Sequence, residues 1–255
     1  MKCTPNLGIV DWGIGAVGIT RLVRSRLGNI PVVYFSDTGV TPYGRMSRRD
    51  LVSRLNAVID FLRQRGVSHL LVGCNAASTV LPSLNVAGLH VKGVIESAVR
   101  VSQRMRPRRL ALIGGRRTVL SGVYRRAFAE RGMKIEQRIA QPLSALIESG
   151  DISSPKLRAH VSAILAPIRG CSHLLLACTH YPAIIPVLKE FVSVDTVFID
   201  PADELVSDVA RWRLPVGGTD TFFTSGDPGQ MHEAAWNAFR VRIDNVKRAP
   251  KLIRE

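Results

Sequence analysis

The 255-residue sequence predicts an α/β fold made of two similar parallel-sheet, Rossmann-like domains related by pseudo-two-fold symmetry, with the functional site in the cleft between them. Three observations predict it. Short apolar runs alternate with longer segments of helical period. The runs are rich in Val, Ile and Leu, as expected of parallel strands covered on both faces. The chain also resembles itself: Ser68-His69-Leu70-Leu71-Val72-Gly73-Cys74-Asn75 returns as Ser172-His173-Leu174-Leu175-Leu176-Ala177-Cys178-Thr179, and at the same offset Ile9 falls on Ile113. A repeat this long is a duplicated half and not a solenoid unit.

Taken in order, Leu7–Val10 is the first strand, followed by a glycine-rich turn into a helical segment. Val32–Phe35 is the second strand. Arg48–Arg65 is a helix, with Leu51, Leu55, Val58, Ile59 and Leu62 on one face. Leu70–Val72, Val91–Val94, Leu110–Ile113, Leu174–Leu176 and Val197–Ile199 are the further strands, most of them ending at Gly, Asp, Ser or Cys. The polar, proline-containing Arg104–Arg109 suits a crossing between halves. From about Trp212 the sequence leaves the repeat and is expected to pack back on the first half. The expected domains are therefore 1–97 with 212–255, and 98–211. Sites in such sheets gather beyond the carboxyl ends of the strands, so the residues following each strand are the candidates.

Composition narrows the classes. Apolar residues make up 46% and charged residues 22%, a globular balance. No run of 18 apolar residues is present, so a membrane span is not expected. Met1-Lys2-Cys3-Thr4-Pro5-Asn6 lacks the apolar core of a signal peptide. Four cysteines without CxxC spacing make neither a disulfide scaffold nor a zinc site. The expectation is a cytoplasmic protein with reduced thiols and no metal. The net charge of +15 raises the question of nucleic acid. Nine arginines and no acid lie between Ser97 and Ala129, and the tail adds Arg240, Arg242, Lys247, Arg248, Lys251 and Arg254. Clustered Arg binds phosphate backbones. Without interleaved aromatics for stacking, and with no helix-turn-helix or zinc signature, nucleic acid stays open but is not favoured over a solvated basic surface that attracts an anionic substrate.

Gly13-Ile14-Gly15-Ala16-Val17-Gly18 is a literal GxGxxG between a strand and a helical segment, and Asp37 lies beyond the next strand, the context of a dinucleotide fingerprint. Against it, Asp11 would set its charge beside a pyrophosphate, and no hydride-transfer constellation accompanies it. The alternative is a tight turn whose backbone N–H groups face some other anion. A stronger signal is the pair Cys74 and Cys178. One cysteine at a strand end is usually a small buried hydrophobe. Two at matching positions of a repeat, each followed by polar residues, place a thiol on either side of a cleft. A planar carbanion between two thiols can be protonated from either face, which is two-base racemase or epimerase chemistry. A thiol must be partly ionised to act as base. His180 and Asp11 are the candidate tuners or proton relays. Cys3 and Cys171 have no such setting and read as structural.

These motifs together resemble the aspartate/glutamate racemase family, nearly end to end. Gly8-Ile9-Val10-Asp11-Trp12-Gly13-Ile14-Gly15, Ser36-Asp37-Thr38 with Pro42-Tyr43-Gly44, Cys74-Asn75-Ala76-Ala77-Ser78, Arg117-Thr118-Val119-Leu120-Ser121-Gly122-Val123-Tyr124, Pro142–Gly150 and Phe223–Pro228 carry it. Ala177-Cys178-Thr179-His180-Tyr181-Pro182 is the strongest single match. The resemblance implies that glutamate is interconverted between its L and D forms without metal or pyridoxal phosphate, supplying the D isomer for peptidoglycan. It implies Cys74 and Cys178 as the acid/bases, the first acting on the D isomer and the second on the L isomer. Asp11, Glu148 and His180 would assist proton transfer. Asn75 and Thr179 would hold the α-carboxylate, and the Pro42-Tyr43-Gly44 backbone would meet the side-chain carboxylate, with Trp12, Ala76 and Thr118 also at the substrate.

The departures lie where the family carries small hydroxyls: Trp12, Ala76 and Gly115 stand at such positions. A hydrogen bond to a charged group contributes about 1.5–3 kcal/mol, so their loss points to a shifted substrate, unless Trp12 turns away and Arg116 or backbone N–H groups serve instead. The competing readings are a related two-cysteine racemase or isomerase, an NAD-binding oxidoreductase, and a binding protein that retains the fold. The expected partner is a small amino-acid substrate, and a homodimer stays open.

Overall fold

The computed structural model describes residues 6–252, so Cys3 and Arg254 lie outside the described residues. Among the described residues ten strands build two sheets. The first holds β1 (Asn6–Asp11), β2 (Val32–Ser36), β3 (Val67–Val72), β4 (His90–Gly93), β9 (Thr221–Thr224) and β10 (Val246–Arg248), in the order β10-β9-β2-β1-β3-β4. The second holds β5 (Leu110–Gly114), β6 (Ile135–Ile139), β7 (His173–Ala177) and β8 (Val197–Ile199), in the order β6-β5-β7-β8. Every pairing is parallel. The order β2-β1-β3-β4 thus recurs as β6-β5-β7-β8, with the self-similar segments at β3 and β7.

The central strands are apolar because helices cover both faces. Leu7, Ile9, Leu70, Leu71, Leu112, Ile113, Leu174 and Leu175 are fully buried. One continuous apolar cluster reaches from Ile9 and Leu71 to Ile113, Leu174 and Leu176, so packing as well as chain connectivity joins the sheets. The helix Arg48–Arg63 buries Leu51, Leu55, Val58, Ile59 and Leu62, the predicted face, and is capped by the Ser47 hydroxyl accepting from the Asp50 N–H.

Two helices tie the halves together: Val94–Met105 leaves the first sheet and Ala202–Ala210 leaves the second. Arg100 bridges Glu204 at 2.7 Å and the largely buried Asp208 at 2.6 Å, pinning one helix to the other. The arginine-rich stretch is therefore partly spent on internal ion pairs; Arg104 also bonds Glu204, and Arg109 bonds Glu136.

Three strands escape the sequence reading. β6 is an edge strand whose Glu136, Arg138 and Ile139 are exposed, so its apolar pattern is broken. β9 and β10 are short, and β10 is a polar edge. Val94 begins a helix instead of ending a strand.

Candidate active site

In each half the strand order reverses beside the first strand, between β1 and β3 and between β5 and β7. Such a switch point opens a crevice at the carboxyl ends of the strands. Asp11 ends β1, Cys74 follows β3, Gly115 follows β5 and Cys178 follows β7. All four line one cleft of about 430 Å³ between the halves. The first half adds Trp12, Pro42, Tyr43, Gly44, Asn75 and Ala76 to its wall. The second adds Thr118, Thr179 and His180, together with Gln141 and Ser144. Glu148 stands behind this wall, bonded to His180.

The thiol of Cys178 lies 3.7 Å from Nδ1 of His180. On the far side of the ring, Nε2 meets Oε2 of Glu148 at 2.6 Å. Burial alone would hold the imidazole neutral. Hydrogen bonds to Cys178 and Glu148, and their negative charge, outweigh it and push His180 well above the usual histidine value. A protonated His180 places positive charge beside the sulfur. The same Glu148 oxygen accepts from the Ile14 N–H at 3.0 Å, so it also fastens the first half's loop to the second half.

Cys74 has a carboxylate for company. Burial pushes its thiol well above the ordinary value, and the charge of the neighbouring Asp11 adds to this. Asp11 is itself raised by burial, against the charge of His180 and its hydrogen bonds. It accepts from Thr179 Oγ1 at 2.7 Å and from the Trp12 N–H at 2.7 Å. Asn75 is buried, and its Oδ1 accepts from the Tyr124 hydroxyl at 2.6 Å. Its Nδ2 has no partner within the protein, a donor held ready for a ligand.

The glycine motif has another use. A Cβ on Gly13 would stand 2.2 Å from Glu148 Oε2, and one on Gly15 would stand 2.3 Å from Thr179 Oγ1. These glycines let the second half's polar side chains press against the loop, and the anion that its Ile14 N–H meets is Glu148. Asp37 is also committed: it receives the Tyr43 hydroxyl at 2.7 Å, the Ser225 hydroxyl at 2.7 Å and the Arg54 guanidinium. Neither the loop nor Asp37 is left to hold a dinucleotide. Among the described residues no group of three or more His, Cys, Asp or Glu could hold a metal ion. No helix among them is long and apolar enough to cross a membrane. Cys171 is buried away from the cleft.

Trp12 does not turn away. Its Nε1 donates to the Val40 carbonyl at 3.2 Å, and its ring sits 6.4 Å from that of His180. Arg116 does not replace the lost hydroxyls: its side chain is exposed and not part of the cleft wall. The residues that sequence reasoning missed are Gln141 and Ser144. Gln141 lies three positions before Ser144, and Ser144 four before Glu148, so all three share one face of the helix Gln141–Glu148. That periodicity was the signal available for them.

A family model described as Asp/Glu/Hydantoin racemase matches residues 16–209. The glutamate racemase of Gloeobacter violaceus is 31% identical over 96% of this chain and 97% of its own. A glutamate racemase isoform from Bacillus anthracis superposes with a TM-score of 0.90 at 22% identity, covering 99% of this chain and 100% of that one. The glutamate racemase of Thermus thermophilus, solved with beta-chloro-D-alanine, gives 0.85 at 26% identity, covering 98% and 99%. Sequence, fold and the paired strand-end cysteines converge: this chain belongs to the Asp/Glu/hydantoin racemase family and is an isomerase.

Proposed function

We propose that the protein interconverts L- and D-glutamate by a two-base mechanism, acting in the cytoplasm to supply D-glutamate for peptidoglycan. The observation that carries this is the convergence of Cys74 and Cys178, from equivalent strand ends of the two halves, on one cleft, each backed by its own acid–base partner. The substrate's α-carbon sits between the sulfurs. One thiolate takes the α-proton from one face. The other thiol gives its proton to the opposite face, leaving the inverted isomer and the two sulfurs with exchanged protonation states. For the L isomer the base is Cys178 and the acid Cys74; for the D isomer the roles reverse. His180, held by Glu148, offers positive charge to Cys178, and Asp11 relays protons at Cys74. Asn75 Nδ2 and Thr179 hold the α-carboxylate. In this reading every proton transfer passes between a side chain and the substrate or between side chains, with no cofactor step.

A second reading, a related racemase of another substrate, is favoured by Trp12, Ala76 and Gly115, which put an indole and no hydroxyl where the family has small hydroxyls. Turnover of purified protein on both enantiomers of glutamate, of aspartate and of a hydantoin separates the two. Glutamate is expected to be turned over with the highest kcat/KM. Preference for either of the others would establish the second reading.

A further inference from the structure

We infer that Gln141 is a specificity-determining residue: its side-chain amide forms the subsite for the terminal carboxylate of the substrate, taking the place of the hydroxyls lost at Ala76 and Gly115. The inference rests on the glutamate reading. It starts from the helix Gln141–Glu148, which presents Gln141, Ser144 and Glu148 on one face. Glu148, at one end of that face, meets His180 and so marks the end of the cleft where Cys178 works. Gln141, at the other end, is about 10 Å away along the helix. A substrate whose α-carbon lies between the thiols therefore points its side chain toward Gln141 if it extends along this face.

The amide is oriented by the backbone. Oε1 of Gln141 accepts from the Arg116 N–H at 2.9 Å, which turns the NH2 group away from that contact. Nε2 makes only a long contact, 3.5 Å, to the Ser144 hydroxyl. The Ser144 proton is itself given to the Gln141 carbonyl at 3.1 Å. Ser144 is thus a positioning residue, while Nε2 keeps a free donor in the cleft. Both halves make room for it: a Cβ on Gly44 of the first would stand 2.6 Å from Oε1, and one on Gly115 of the second would stand 3.2 Å from it. A free amide donor there pairs with a terminal carboxylate and has no partner in an apolar side chain.

The test is a comparison of kcat and KM with both glutamate enantiomers. Gln141→Glu keeps an acceptor for the Arg116 N–H while replacing the donor by a negative charge. Its KM is expected to rise about 10- to 100-fold with kcat little changed. Gly44→Ala, which displaces the amide from the opposite wall, is expected to raise KM in the same direction. A wild-type protein active on glutamate whose Gln141→Glu variant keeps its KM, or loses kcat alone, overturns the inference and leaves the glutamate reading standing. A wild type inert on glutamate overturns that reading, and this inference with it.

Discussion

Cys74→Ala and Cys178→Ala will each lower racemisation by about 100- to 10,000-fold, the usual range for loss of a general acid or base. The two enantiomers have equal free energy, so the fall in kcat/KM must be the same in both directions. In the proposed mechanism each turnover uses one thiol as base and the other as acid, so neither loss spares a direction. For the same reason the double variant should be little worse than either single one, because the two residues act as a unit. Either single variant with wild-type activity would remove the two-base account. The pH profile adds a signed test. Cys74 must be protonated to serve as acid, and burial together with Asp11 raises its thiol above the ordinary value of 9.0. The falling, high-pH limb of kcat/KM therefore lies above pH 9.0. Asp11→Asn removes a negative charge that opposes thiolate formation. Cys74 then ionises more easily, and that limb moves to lower pH, alongside whatever rate is lost with the relay.

Glu148→Gln will cost about 10- to 100-fold in kcat/KM with both enantiomers and about 1–3 kcal/mol of stability. The cause is the position of this carboxylate, which at once holds His180 and closes on the Ile14 N–H of the other half. His180 is buried, so its raised value depends on Cys178 and Glu148. With Gln in place one of the two causes that raise the imidazole is gone, its value moves down, and less positive charge is held beside the Cys178 sulfur. The sign for stability follows from the raised folded value. The stabilisation is fully present below the unfolded value of 6.5 and is lost as pH rises through the higher folded one. The stability gap between wild type and variant should therefore be larger near pH 6.5 than above the folded value of His180. An NMR titration of His180 and denaturant unfolding across that range check both parts. A His180 that titrates unchanged in the variant would contradict the assignment.

Much of this was legible because burial and duplication leave marks in sequence. The runs around Ile9, Leu71, Leu112 and Leu175 are apolar because those strands are covered on both faces, and the repeat exposed the two thiols without any knowledge of the fold. The position of Glu148 could be read only through family resemblance, since it is separated from Ile14 by the whole length between the halves. Gln141 and Ser144 were missed for a related reason: the meaning of Gln141 lies in Gly44, which the other half brings against it, a contact that local spacing does not encode. The edge strand Ile135–Ile139 was missed because exposed charges interrupt its pattern. The glycine motif misleads in the opposite sense. Its spacing suits a dinucleotide, yet Gly13 and Gly15 are small so that Glu148, Thr179 and His180 can approach.

The central claim is that the α-proton leaves to one thiol and returns from another. Racemisation in deuterated water, stopped early and resolved by enantiomer, tests it most directly. With either isomer as the start, the two-thiol account predicts deuterium at the α-carbon of the product and protium retained in the recovered substrate. Equal deuterium in substrate and product from the earliest times would mean that one base serves both faces, and would contradict it.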